Sequence, residues 1–198
     1  MATKNILSLF DYSGNWCSFY KQAGYQVYQV DKKLDIDVLD LNVRNLPFDE
    51  CYGILAAPPC TDFASSGAQY WKQKDIDGRT THSLELVEKT LELISYYNPH
   101  FYAVENPVGR LQKLLPQLGK VWYFNPHEFA GYCDNPETEA YTKKTGLWGQ
   151  FTKPEKRAVA VIAGASPIMR LGGKSERTKE LRSMTPLGFS KAFFLANQ

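Results

Sequence analysis

No apolar run in this sequence approaches the roughly 20 residues that a helix needs to cross a bilayer, so no membrane association is expected. The N-terminal stretch MATKNILSLF carries one lysine and a short apolar segment that runs straight into DYSGNW. It lacks the longer apolar region and cleavage site of a signal peptide, and a cytoplasmic protein is the expectation. Cysteine is sparse and scattered, at Cys17, Cys51, Cys60 and Cys133, with no Cys-x-x-Cys pair. That spacing argues against zinc, and no metal site is expected. In a reducing compartment the four are free thiols, and Cys17, Cys51 and Cys133 read as small buried hydrophobes. Two phosphate-binding signatures are missing as well. Neither Gly-x-Gly-x-x-Gly nor Gly-x-x-x-x-Gly-Lys-Ser/Thr occurs, which argues against NAD and ATP. The three histidines, His82, His100 and His127, read as ordinary surface or cap residues. There is no internal repeat.

What is present points to a packed core. The 198 residues are 43% hydrophobic and 14% aromatic, too apolar for a disordered chain and of a length that suits one domain, residues 1–198. The net charge is only +2 but it is unevenly spread. Residues 1–142 hold 12 Lys and Arg against 18 Asp and Glu, a balance of −6; residues 143–198 hold 11 against 3, a balance of +8. A basic C-terminal portion points to a polyanionic partner.

Strand-like and helix-like segments alternate. NILSLF (5–10), YQVYQVD (25–31), IDVLDL (36–41), YGILAA (52–57), HFYAVENP (100–107), KVWYFNPHEF (120–129) and RAVAVIAG (157–164) read as strands. CSFYKQAGY, HSLELVEKTLELISYY (82–97), GRLQKLLPQL (109–118) and LGFSKAFFLAN (187–197) read as helices. The alternation predicts an α/β fold, a mostly parallel sheet with helices on both faces. Residues 163–186 have no clear period and read as a long loop.

Ligands of such sheets bind beyond the carboxyl ends of the strands. The first strand exits into Phe10, Asp11, Tyr12, Ser13 and Gly14, the second at Asp31, and the expected third near Asp40. The YGILAA strand exits at Pro58-Pro59-Cys60 and the FYAVENP strand at Glu105-Asn106-Pro107. A tight turn followed by an acid at the end of the next strand suits a nucleoside-containing cofactor, because the acid can hold both ribose hydroxyls. Without phosphate-binding glycines, S-adenosylmethionine is the candidate. Cys60 is a candidate nucleophile, and Glu105 at the same edge a candidate proton donor. Phe10 and Trp16 read either as walls of the cofactor pocket or as core. Trp71 reads as a base-stacking residue or as a pin for its own loop.

These segments together resemble the cytosine-C5 DNA methyltransferase family. LFDYSGNW is similar to its first motif, and Asp31 and Asp40 fall at its cofactor-binding acids. APPCTDFASSG resembles the Pro-Cys nucleophile motif with its mobile loop, and VENP the Glu-Asn-Val motif with Pro107 in place of Val. YTKKTGLWG lies where the family has Gln-x-Arg-x-Arg, with Lys143 and Lys144 replacing the arginines, and RSMTPLGFSKAFFLAN resembles the closing segment. The resemblance implies a Rossmann-like S-adenosylmethionine-dependent sheet and methyl transfer to C5 of cytosine in DNA. It assigns catalysis to Cys60, Glu105, Lys143 and Lys144. It assigns cofactor binding to Phe10, Ser13, Gly14, Asn15, Trp16, Asp31, Asp40 and Pro58. The family's large target-recognition domain is missing, and residues 151–182 form a short basic region in its place. That brevity suits a phage or mobile element in a bacterial or phage-infected cytoplasm, with a partner as one possible source of specificity. Two other readings stay open: an enzyme of the same scaffold acting on another pyrimidine, in RNA or a nucleotide, and a non-catalytic nucleic-acid-binding subunit.

Overall fold

Six strands form one sheet in the order β2-β1-β3-β4-β6-β5. The computed structural model describes residues 4–164, 166 and 175–198. The strands are β1 (Asn5–Leu9), β2 (Gln26–Val30), β3 (Gly53–Ala56), β4 (Phe101–Pro107), β5 (Trp122–Phe124) and β6 (Thr145–Gln150). The first four are parallel, with Ile6 beside Val27 and Gly53, and Ala56 beside Val104. β6 runs antiparallel between β4 and β5, so that Thr145 lies opposite Pro107 and Phe124. The expected α/β fold is present, Rossmann-like in its parallel half.

Side-chain alternation sends neighbouring residues of each strand to opposite faces. Ile6, Leu55, Ala103 and Leu147 face a cluster holding Tyr20 of α1 (Ser18–Gln22) and Phe189 and Phe193 of the C-terminal helix (Leu187–Ala196). Leu7, Leu9, Ile54, Ala56 and Val104 face the other way, onto Leu93 and Ile94 of the long helix Arg79–Tyr97. Two short helices, α2 (Trp71–Ile76) and α4 (Leu111–Leu114), flank that long helix, α3. The remaining helices are α5 (Glu176–Ser183) and α6 (Leu187–Ala196). No described helix is long and apolar enough to cross a membrane.

Four expectations are corrected. Residues 36–41 form no strand. Asp37 accepts a bond from the Leu39 amide at 3.0 Å and pairs with Lys32 at 2.9 Å, and the Asp40 and Leu41 amides bond back to Asp37 and Val38, so the segment turns. Residues 157–164 form no strand either. The Val159 and Ile162 amides bond singly to His127 and Ala140, tying the segment to the turns at 126–141 instead of to the sheet. The segment 120–129 pairs only over Trp122–Phe124, because Pro126 has no amide to donate. The long loop expected at 163–186 contains α5. Ser175 caps this helix through its hydroxyl, and five of its eight residues, Glu176, Arg177, Lys179, Glu180 and Arg182, are charged. With Leu181 its one large apolar residue, no apolar period could announce it.

Candidate active site

The chain leaves β1 for β2 on one side and leaves β3 for β4 on the other. The connections therefore diverge between β1 and β3, and a crevice opens there beyond the carboxyl ends. The β1 turn and Pro58-Pro59-Cys60 border it from the two sides.

The β1 turn is built around Asp11. This buried carboxylate accepts from the Ser8 hydroxyl at 2.9 Å, the Ser13 hydroxyl at 3.2 Å and the Cys17 amide at 3.3 Å. The Ser13 hydroxyl in turn accepts from the Asn15 amide at 3.2 Å. Phe10 enters the turn at φ 59°, a left-handed conformation rare for a bulky residue. Its amide donates to Val30 at 2.7 Å and its ring packs on the α3 face. Gly14 also needs the left-handed region, at φ 68°. Trp16 is corrected from a pocket residue to a core residue: it is fully buried, with Phe189 and Phe193 around its ring.

Asp31 stands half-buried at the end of β2. Its Oδ1 accepts from the Lys33 amide at 2.9 Å, and its Oδ2 has no partner among the described residues. A carboxylate oxygen so placed, next to the Phe10 turn, fits the diol of an adenosyl ribose. Asp40 does not end a strand. It lies exposed in the 37–40 turn, so its expected role at a third strand end is corrected.

Cys60 is held from both directions. Pro58, buried, accepts from the amide group of Asn106 at 3.0 Å, which joins the end of β3 to the end of β4. Asn106 is fully buried, and its Oδ1 has no partner among the described residues. The Cys60 carbonyl accepts from the Phe63 and Ala64 amides at 3.0 and 2.9 Å, forming a tight turn. The loop beyond was expected to be mobile, yet its packing fastens it. Phe63 is fully buried, and the Ser65 amide donates to Val108 at 2.9 Å. Gly109 allows the close approach, because a Cβ there would meet the Phe63 carbonyl. Asp62 pairs with Lys74 at 3.1 Å, both nearly buried, and accepts from the Ser83 hydroxyl at 2.6 Å. Lys74 also donates to the Thr61 carbonyl at 2.6 Å, and Arg110 to the Asp62 carbonyl at 3.0 Å. Trp71 opens α2 with the Arg110 guanidinium 4.8 Å from its ring centre, the pinning arrangement.

Burial pushes the Cys60 thiol up, the Glu105 carboxylate pushes it further, and Lys143 and Arg182 pull it down. Burial likewise raises Glu105, against the pull of Lys143. Lys143 precedes β6, whose antiparallel course brings it to the carboxyl end of β4. Lys144 points elsewhere. Its ammonium sits 4.6 Å from the ring centre of Tyr123 on β5, which corrects its expected place in the site. The structure thus brings together Cys60, Glu105 and Lys143 with Pro58, and borders them with Phe10, Ser13, Gly14, Asn15 and Asp31. Sequence reading placed Asp11 at the exit of the first strand without a role, and missed Asp62, Lys74, Arg110 and Arg182. DYSG offered a signal for Asp11; the others are paired only by the folded chain.

No family model matches this chain. Over 126 residues it is 29% identical to the "Probable DNA (cytosine-5)-methyltransferase" of Frog virus 3 (isolate Goorha). That span is 60% of this chain and 55% of the relative, so the chain spans about half the length of the curated relative it matches. The motif resemblance and this relative agree. Among solved structures, a "putative DNA modification methyltransferase" encoded within a prophage of E. coli is 16% identical, covering 88% of this chain and 56% of that one at a TM-score of 0.49. The methyltransferase EhMeth of Entamoeba histolytica is 13% identical, covering 90% and 62% at a TM-score of 0.49.

Proposed function

We propose that this chain transfers a methyl group from S-adenosylmethionine to C5 of cytosine in DNA, with Cys60 as the nucleophile. The observation that carries the reading is the meeting of Cys60, Glu105 and Lys143 at one strand edge, beside the β1–β3 crevice. The relative from Frog virus 3 supports the choice of substrate.

Cytosine C5 is too weak a nucleophile to be alkylated unaided. Addition of the Cys60 thiolate forms an Sγ–C6 bond and pushes the electron pair of the C5–C6 double bond toward C5. Glu105, whose pKa burial raises, donates a proton to N3 from its protonated form and so stabilises the adduct. The Phe10–Asn15 turn and Asp31 would hold S-adenosylmethionine, which would supply an electrophilic methyl group to C5. After C5 has taken it, a base removes the C5 proton, the double bond returns and the Sγ–C6 bond breaks. Pro58 and Pro59, with φ fixed near −65°, hold the thiol on its line of approach, where an error of about 1 Å costs on the order of a hundredfold. In a duplex, the base must first leave the stack. On this reading residues 1–198 are one catalytic domain, and the basic stretch 151–182 meets DNA in place of a recognition domain.

The test is a duplex carrying 5-fluorocytosine, incubated with S-adenosylmethionine. Fluorine at C5 cannot leave as a proton, so the Sγ–C6 bond should persist. The expected result is a mass increase on the Cys60 peptide of the wild type and none in Cys60→Ser. An adduct formed only with RNA would move the substrate, and no adduct with either polymer contradicts the reading.

A further inference from the structure

α5 is joined to the carboxyl edge of the sheet by polar tethers that reach three different strand ends. Lys143, two residues before β6, donates to the Arg182 carbonyl at 2.8 Å. Asn15, in the turn after β1, donates through its side chain to the Thr185 carbonyl at 3.1 Å. Lys33, in the turn after β2, pairs with Glu180. A segment fixed at these three points crosses the mouth of the β1–β3 crevice. Its C-terminal end is firm. Thr185 is buried, the Leu187 and Gly188 amides donate to buried Glu139, and Phe189 and Phe193 are fully buried. Among the described side chains of the helix only Thr178 is buried, and Leu181 is its one large apolar residue. Eight residues with a single large apolar side chain do not hold a helix in water. Such an element opens at low free energy, hinged where the chain enters α6.

We propose that α5 is a closing strap over the active-site crevice and that it delivers Arg182 as a second cation, beside Lys143, to the Cys60 thiol. This rests on Cys60 being the reactive group of the site. Among the described residues, Glu105 from β4, Lys143 from the lead-in to β6 and Arg182, exposed on α5 with its carbonyl bonded to Lys143, are charged groups that act on the thiol. Asp62, on its own loop, is engaged by Lys74 and Ser83. Burial and Glu105 disfavour the thiolate, so the strap held down by its tethers favours the thiolate and a strap that lifts withdraws that support. Asn15 and Lys33 belong to the turns that flank the cofactor position. Closure is therefore coupled to the cofactor side of the crevice. Arg182 acts through Cys60 and is a positioning residue in this sense.

The experiment reads the thiol directly and needs neither DNA nor S-adenosylmethionine. Iodoacetamide alkylation of the Cys60 peptide is followed by mass spectrometry from pH 6 to pH 10 in the full chain. Arg182→Gln should move the profile up by about half to one pH unit, which is about three- to tenfold slower alkylation at neutral pH. Arg182→Lys should fall between it and wild type. Glu180→Lys should match Arg182→Gln, and the charge swap Lys33→Glu with Glu180→Lys should return the rate to within about twofold of wild type. Cys17 and Cys51, buried and pushed up to about 12, stay unmodified while the chain is folded and so monitor integrity. An unchanged profile in Arg182→Gln overturns the proposal, as does a shift in Glu180→Lys that the swap fails to repair. A wild-type protein that methylates no DNA would defeat the proposed function and leave these profiles standing.

Discussion

Cys60 and Glu105 oppose each other in the free protein. Burial and the Glu105 carboxylate push the Cys60 thiol up, and burial pushes Glu105 up as well. The arrangement suits two groups that are to exchange charge with a base placed between them. Glu105→Gln removes both the proton donor and the neighbouring negative charge. Methyl transfer should fall by about 10²- to 10⁴-fold, while alkylation of Cys60 should shift to lower pH. The same substitution should affect stability with a definite sign. A carboxyl whose folded pKa lies above its unfolded value contributes stability that is complete below the unfolded value and is lost as pH rises through the folded one. Glu105→Gln should therefore melt above wild type at neutral pH, with the gap closing as the pH falls below the ordinary carboxylate range. Differential scanning calorimetry at several pH values measures it, and a gap that widens on acidification would contradict the assignment. Cys60, Glu105 and the Asp31 strand end were legible in the sequence because strand periodicity places their exits at one edge. Lys143 was legible only through its resemblance to a motif. Lys144 and Trp16 were misplaced because sequence position does not say which way a side chain turns, toward Tyr123 in one case and into the Phe189 and Phe193 rings in the other.

Among the elements, the loop after Cys60 and the helix α6 show how distant residues set local structure. Asp62 and Lys74 form a nearly buried ion pair that joins the nucleophile loop to α2. Removing one member of such a pair leaves the other uncompensated, at about 3–5 kcal/mol. Lys74→Met should lower the unfolding free energy in urea by about that amount, and a loss below about 1 kcal/mol would mean the pair is solvated. Glu139 accepts from the Gly188 amide at 3.0 Å and from the Leu187 amide, capping α6 from 48 residues away. Glu139→Ala should cost about 1–2 kcal/mol of stability and, by loosening the anchor of α5, reduce methyl transfer. Neither contact was readable in advance. A salt bridge between a loop acid and a helix lysine, or a cap from a remote acid, leaves no spacing in the sequence. The turn at 36–41 escaped for another reason: four of its six residues are apolar, as in a strand, but Asp37 bonds its own backbone.

At the scale of the whole molecule, one topological feature organises the rest. The β1–β3 divergence sets a crevice between the Phe10–Asn15 turn and Cys60, and β6, inserted antiparallel, returns Lys143 to the same edge. α5 and the C-terminal helix come from the part of the chain with a balance of +8, so the positive charge gathers in segments that follow β1–β4 in sequence. A polyanion bound there should be released by salt, with a slope set by the number of phosphates neutralised. The measurement that tests the central claim most directly is the nucleoside content of unmodified DNA after incubation with the protein and S-adenosylmethionine, beside Cys60→Ala. The account predicts 5-methyldeoxycytidine with the wild type and none with Cys60→Ala. A folded wild-type protein that binds S-adenosylmethionine and leaves deoxycytidine unmodified would contradict it, and so would equal product from Cys60→Ala.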